Sequence, residues 1–261
     1  MNQPRCGTLR MKKPISLFLL IMAPVIFLLG AIDGERMGSE QAPNFTQDVT
    51  AGKKLYRRKC AMCHGSKGKG DGMVSRYLFP KPRDLSSGIF KIRSTPTGSL
   101  PTDQDLFDTI TRGMPGTLMP SWANLREDQR WDLVEYLKTL SNRFAEEEIL
   151  DPIIIGQPKP PYAESINVGR RLYIDLECWM CHGINGKGNG PSSHSLKDDW
   201  GFPIVPADLT VPGNWRGGSL PQDIYRSIRV GIGGTPMPSW EALTEDQTWD
   251  ITNYLLAIID Q

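Results

Sequence analysis

Hydrophobic and polar positions divide this chain of 261 residues into three regimes. The first is an uncharged run from Ile15 to Ile32, preceded by Arg5, Arg10, Lys12 and Lys13 and followed by Asp33, Glu35 and Arg36. That is the order of an export signal, and a helix of this length spans roughly 27 Å, enough to reach across a bilayer core. Residues 1–34 are therefore expected to be a signal peptide, or a membrane anchor through residues 15–32. In either case the basic flank stays in the cytoplasm and the remainder stands on the periplasmic side of a bacterial membrane.

The other two regimes show helical periodicity. A helix is expected over Gly52 to Lys59 and another over Gly169 to Glu177, each with a Gly-x-x-x-Tyr face (Gly52 and Tyr56; Gly169 and Tyr173). Short helices follow near Asp105 to Thr111, with Leu106 and Ile110 on one side, and near Asp223 to Arg229, with Ile224 and Ile228. A last helix places Trp131, Val134 and Leu137 together, and its counterpart Trp249, Thr252 and Leu255. Thr244 to Gln247 reads as a capping box, which Arg126 in the first copy lacks. No segment alternates as a strand would, so the expected fold is all-α, with long loops between few helices.

The two regimes are copies of each other. At an offset of 118, Cys60-Ala61-Met62-Cys63-His64 aligns with Cys178-Trp179-Met180-Cys181-His182, and Met119-Pro120-Ser121-Trp122 with Met237-Pro238-Ser239-Trp240. Gly113, Gly116-Thr117, Trp131-Asp132 and Tyr136-Leu137 align in the same way with Gly231, Gly234-Thr235, Trp249-Asp250 and Tyr254-Leu255. Two domains of common size are expected, at 44–142 and 162–261. Between them, 143–161 is acidic and then Pro-rich, as in a semi-rigid linker. The copies differ most where the second carries an insert, Ser192 to Pro203.

Charge narrows the partners. With 30 basic and 29 acidic side chains the formal net charge is +1, which offers nucleic acid no strong attraction. The balance conceals an asymmetry: Glu35 to Leu150 has 18 basic against 15 acidic residues, and Asp151 to Gln261 has 8 against 13. The excess concentrates in Lys53, Lys54, Arg57, Arg58, Lys59, Lys67 and Lys69. This cluster is expected to steer an acidic redox partner, unless it is a solvated face or a contact with anionic lipid.

The five Cys and three His carry the chemistry, because four Cys and two His lie in the two Cys-x-x-Cys-His motifs. This is the attachment signal of c-type haem, in which two thioethers hold the ring and the imidazole reaches the iron. A zinc ribbon wants a second Cys pair roughly 15–20 residues on, and none follows at that spacing. A thioredoxin-like pair or a structural disulfide leaves the repeated His unexplained. Two covalently bound haem c groups are expected, held by Cys60, Cys63 and His64 and by Cys178, Cys181 and His182.

With those two His used, His194 is the only spare imidazole, so both irons cannot be bis-His. Met119 lies 55 residues after His64, and Met237 lies 55 after His182, in equivalent Gly-Thr-x-Met-Pro-Ser-Trp loops. Soft thioether sulfur is a common haem ligand, so Met119 and Met237 are the expected sixth ligands. Met114 and Met73 fail the symmetry test, since they align with Ile232 and Pro191. Met62 and Met180 lie inside the attachment turn. His194 is expected on the surface of the insert, and Cys6 on the far side of the apolar segment.

On these motifs, residues 44 to 261 resemble class I c-type cytochromes in tandem dihaem form. The resemblance implies a helical fold wrapped round each haem, with Gly52 and Tyr56 crossing Trp131 and Tyr136. It implies that a Gly-Pro carbonyl, here Pro191, accepts a hydrogen bond from the proximal imidazole; the first copy has Gly72-Met73 instead. Arg83 is a candidate partner for a haem propionate, with Ala207 as its counterpart. The methionine loops more weakly resemble cytochrome c subunits of larger respiratory oxidoreductases. The implied function is electron transfer between redox proteins and not an enzymatic reaction of the chain's own. The competing readings, a dihaem peroxidase and a gas sensor, each need a haem with a labile ligand.

Overall fold

Asp48 opens the first helix, its carboxylate accepting from the backbone N–H groups of Thr50 at 2.7 Å and Ala51 at 3.2 Å. The computed structural model describes residues 46–259, so the expectations for Ile15 to Ile32 and for Cys6 lie outside the described residues. The first half contains α1 (Val49–Lys59), α2 (Ala61–His64), α3 (Asp103–Arg112), α4 (Glu127–Lys138) and α5 (Arg143–Glu146). The second contains α6 (Ala163–Asp175), α7 (Trp179–His182), α8 (Pro221–Val230) and α9 (Glu245–Ala257). No strand occurs among the described residues, only an isolated bridge between Lys197 and Pro203 within the insert.

Each half is organised by the crossing of its first and last long helices. A Cβ on Gly52 would overlap the backbone of Asp132, and one on Gly169 the backbone of Asp250, so each glycine lets two helix backbones touch. One turn further on, Tyr56 packs against Tyr136 with ring centroids 5.1 Å apart, and Tyr173 against Tyr254 at 5.3 Å. The glycine thus meets Asp132, while the neighbouring Trp131 turns away to stack on Phe107 of α3 at 4.3 Å. Tyr225 and Trp249 repeat that pair in the second half at 4.6 Å.

Helix ends follow the sequence with two differences. The Thr244 and Gln247 capping box forms as expected. In α4 half of it survives without a capping side chain, because Gln129 Oε1 accepts from the Arg126 N–H at 3.2 Å. A guanidinium has no lone pair to offer in return. The helix expected to reach Glu177 stops at Asp175, and Glu177 adopts a left-handed φ of 57°, which turns the chain into the Cys178 motif.

The stretch between the halves is tied to both. Arg143 of α5 pairs with Glu147 and donates to the carbonyls of Gly88 and Gly98. Ile153 N–H donates to Ser94 O at 2.8 Å, and Asn253 Nδ2 to Lys159 O at 3.1 Å. Lys159 also pairs with the buried Asp250 at 2.7 Å. The halves meet directly through Arg93 Nη2 on Val230 O at 2.5 Å, Gly233 N–H on Lys91 O at 3.1 Å, and Arg112 beside Asp223 at 3.5 Å.

Candidate functional site

Each Cys-x-x-Cys-His motif folds as a single helical turn set directly after the first helix of its half. The turn ends at a glycine, Gly65 (φ 78°) or Gly183 (φ 80°), whose carbonyl accepts from the buried Tyr56 hydroxyl at 2.9 Å or the Tyr173 hydroxyl at 2.6 Å. The crossing of the long helices therefore fixes the position of the motif. The chain then doubles back, with Gly70 N–H on His64 O at 2.9 Å and Gly188 N–H on His182 O at 2.7 Å. Gly72 and Gly190 pack so closely on the turn that a Cβ on either would overlap the Met62 or Met180 carbonyl.

The two imidazoles are held alike. His64 Nδ1 lies 3.0 Å from Arg83 O, and His182 Nδ1 lies 3.1 Å from Ala207 O. A carbonyl only accepts, so Nδ1 carries the proton and Nε2 keeps its lone pair. Burial pushes both histidines below the usual imidazole pKa, with the carbonyl bond opposing it, which favours the neutral ring a metal requires. This corrects the expected acceptor. Pro191 is exposed, and the carbonyl comes instead from the repeated Pro-x-Asp-Leu of Pro82 to Leu85 and Pro206 to Leu209. Asp84 and Asp208 shape that turn by accepting from the N–H and hydroxyl of Ser86 and Thr210. What the loops share at 72 and 190 is the glycine, because the packing on the turn depends on the missing Cβ.

A cavity opens beside each turn. The first, about 150 Å³, is lined by Cys60, Cys63, His64 and Met119, and the second, about 360 Å³, by Cys178, Cys181, His182 and Met237. The structure therefore brings together all the expected ligands of each copy. His194 is exposed and lines neither cavity. Met114 also lines the first cavity and Met180 the second, while Met62 and Met73 are exposed.

The residues fit a covalently attached haem. The four described cysteines form no disulfide. Burial pushes the Cys60 thiol up to about 12 and the Cys178 thiol up to about 11, so these positions favour an uncharged sulfur, as in a thioether. Arg83 lines the first cavity with Nε and Nη1 buried and without a protein partner, which suits a carboxylate-bearing ligand.

The methionine loops are built by a threonine that sequence reading did not single out. Thr117 Oγ1 donates to Met114 O at 2.7 Å and accepts from Met119 N–H at 3.1 Å. Thr235 does the same with Ile232 O at 2.7 Å and Met237 N–H at 3.3 Å. The signal was the repeated Gly-Thr two residues before each Met.

Comparison with known proteins agrees with this duplication. The Cytochrome c family profile matches twice, at residues 49–141 and 166–258. Cytochrome c-554(547) of Halothiobacillus neapolitanus is 33% identical over 93 residues, which is 36% of this chain and 97% of that protein. A chain of the Kuenenia stuttgartiensis reducing HAO-like protein complex is 42% identical with a TM-score of 0.79, over 84% of this chain and 99% of that one.

Proposed function

Because the chain belongs to the cytochrome c family twice over, and so carries two covalently bound haem c groups for electron transfer, we propose that it passes electrons between redox proteins through two His/Met-ligated haems. The assigned residues are Cys60, Cys63, His64 and Met119 for one haem and Cys178, Cys181, His182 and Met237 for the other. Each haem supplies a one-electron couple. The protein's part is to hold a neutral imidazole by its Nδ1–H, to present a thioether from a threonine-braced loop, and to line the site with apolar groups. His/Met ligation raises the potential relative to harder ligand sets and leaves the iron no open position for a substrate.

The observation that carries this reading is the shared set of candidate ligands. Two Cys, one His and one Met at the same sequence spacing line each cavity, so each half offers its haem the same pair of axial side chains. The acidic-partner reading is supported by Lys53, Lys54, Arg57, Arg58, Lys59, Lys67 and Lys69, all exposed and outside every salt bridge of the described residues. Similarity to a chain of a multi-protein complex supports a place as the electron-transfer subunit of an oxidoreductase. The periplasmic side of a membrane is the proposed location, from the charge pattern around residues 15–32.

A redox titration with optical and spin-resonance detection tests the assignment. Met119→Ala and Met237→Ala should each lower one potential and convert one haem to a labile form, leaving the other unchanged. Stoichiometric carbon monoxide binding by the reduced wild-type protein at neutral pH would overturn the reading in favour of a haem with an open site.

A further inference from the structure

Two arginines cross between the halves and reach equivalent points. Arg83 supports His64 through its carbonyl and lines the first cavity, yet its Nη2 donates to Gly233 O in the second half at 3.0 Å. Arg216 lines the second cavity, and its Nη1 donates to Pro115 O in the first half at 2.6 Å. Pro115 and Gly233 correspond at the repeat offset, and each stands four residues before its loop methionine. The next residues, Gly116 and Gly234, also correspond. A Cβ on either would overlap Nη1 of the arginine arriving from the other half. These glycines are thus required twice, for φ values of 66° and 69° and for the close approach of a guanidinium.

The arginines are not themselves counterparts. Arg83 has Ala207 as its equivalent in the Pro-x-Asp-Leu turn, so the two contacts arise from different sequence positions. Neither arginine forms a salt bridge among the described residues. The Arg83 guanidinium lies 4.2 Å from the Trp200 ring centroid, with two of its nitrogens unpartnered. The cavities themselves adjoin at this seam, since Pro80 and Lys91 line both.

We propose that Arg83 and Arg216 are reciprocal positioning residues. Each holds the methionine loop of the opposite half while presenting its charge to the cavity of its own, so the two redox sites are set jointly. The inference rests on the His/Met reading above. A buried cation favours the reduced form of a nearby haem, so its loss lowers the potential. Because each arginine lines one cavity and binds the methionine loop of the other half, its loss acts on both sides of the seam.

The test uses the full-length holoprotein, with haem-resolved redox titration and the proton resonances of the iron-bound methionine methyls, assigned by Met119→Ala and Met237→Ala. Arg216→Gln should lower the one-electron equilibrium constant of the Met237 haem, whose cavity it lines, and of the Met119 haem, whose loop it holds, each on the order of tenfold, about 59 mV, and should move the Met119 methyl resonance. Arg83→Gln should likewise lower both and move the Met237 methyl. Arg216→Lys keeps the charge without the planar fork and should restore most of the potential while the methyl stays displaced. Arg171→Gln, an exposed control, should leave both haems unchanged, and an equal shift there would overturn the assignment. An Arg216→Gln protein with the Met119 methyl unmoved and its potential within threefold of wild type would overturn it as well. If that variant fails to load haem, an unmoved Met119 methyl in Arg216→Lys is decisive. Failure of the His/Met reading is separately visible as a wild-type protein lacking two bound-methionine signals.

Discussion

Replacing Gly169 with Ala should destabilise the second half by a net of about 1–2 kcal/mol. The added methyl would stand 2.8 Å from Tyr254 Cβ, against roughly 3.5–4.0 Å for carbon atoms in contact, and would overlap the Asp250 carbonyl. The obstacle is backbone, so no rotamer change relieves it, and α6 must part from α9 by roughly 1 Å. Such a gap loosens the packing of Tyr173 and Tyr254 along the crossing, and overpacking of this kind costs about 1–3 kcal/mol and occasionally more. Ala is about 1 kcal/mol better than Gly within a helix, which offsets part of the cost. Guanidinium denaturation of the holoprotein, followed by helical circular dichroism and by the haem spectrum, measures the net effect. Gly213→Ala is the control, because a Cβ there meets nothing within 4 Å; it should stay within about 0.5 kcal/mol of wild type. A Gly169→Ala protein as stable as that control would refute the argument that bare backbone contact holds the two helices together.

Other consequences follow from single side chains. Tyr173→Phe removes the buried hydroxyl that binds Gly183 O at 2.6 Å and should cost about 1 kcal/mol in the same denaturation assay, with unchanged ligation. Thr117→Val removes both bonds that shape the first methionine loop, and the reduced protein should then bind carbon monoxide at one haem about tenfold more readily than wild type; equal affinity would mean the threonine does not hold the ligand. Reversing Lys53, Lys54, Arg57 and Arg58 to Glu should slow electron exchange with an acidic redox protein by roughly tenfold or more at low salt, with the gap closing as salt is added. A stopped-flow rate equal to wild type at low ionic strength would remove this face from docking.

Within the two halves, what could be read from the sequence was what repeats in it, although not every repeat was read. The helices, the two attachment turns and the gathering of His64 with Met119 and of His182 with Met237 all follow from periodicity and from one offset. The acceptor for the proximal imidazole did not follow, because a backbone carbonyl carries no residue signature. It is delivered by a turn that begins 18 residues after His64 in one copy and 24 residues after His182 in the other, and the insert breaks the register between them. Gly116 and Gly234 looked like ordinary loop glycines. Their second role depends on arginines from the other half, and a contact between non-equivalent positions leaves no trace in a self-alignment. The left-handed Glu177 is similarly invisible, because glycine was the residue to look for at such a bend.

The charge asymmetry between the halves has two structural origins, and they separate by exposure. Part of the basic excess of the first half is taken up at the seam, where Arg83 and Arg93 donate to the carbonyls of Gly233 and Val230, while the second half returns Arg216. These are largely desolvated contacts to backbone dipoles, and dissolved salt screens them little. The rest lies on α1 and the loop after α2 as exposed cations outside every salt bridge of the described residues, the arrangement that salt screens most strongly. Association with a partner should therefore fall steeply with ionic strength while the interaction between the two haem potentials stays nearly constant. Measured on one protein, that contrast distinguishes a docking face from an internal coupling, although both are built from the same excess of arginine and lysine.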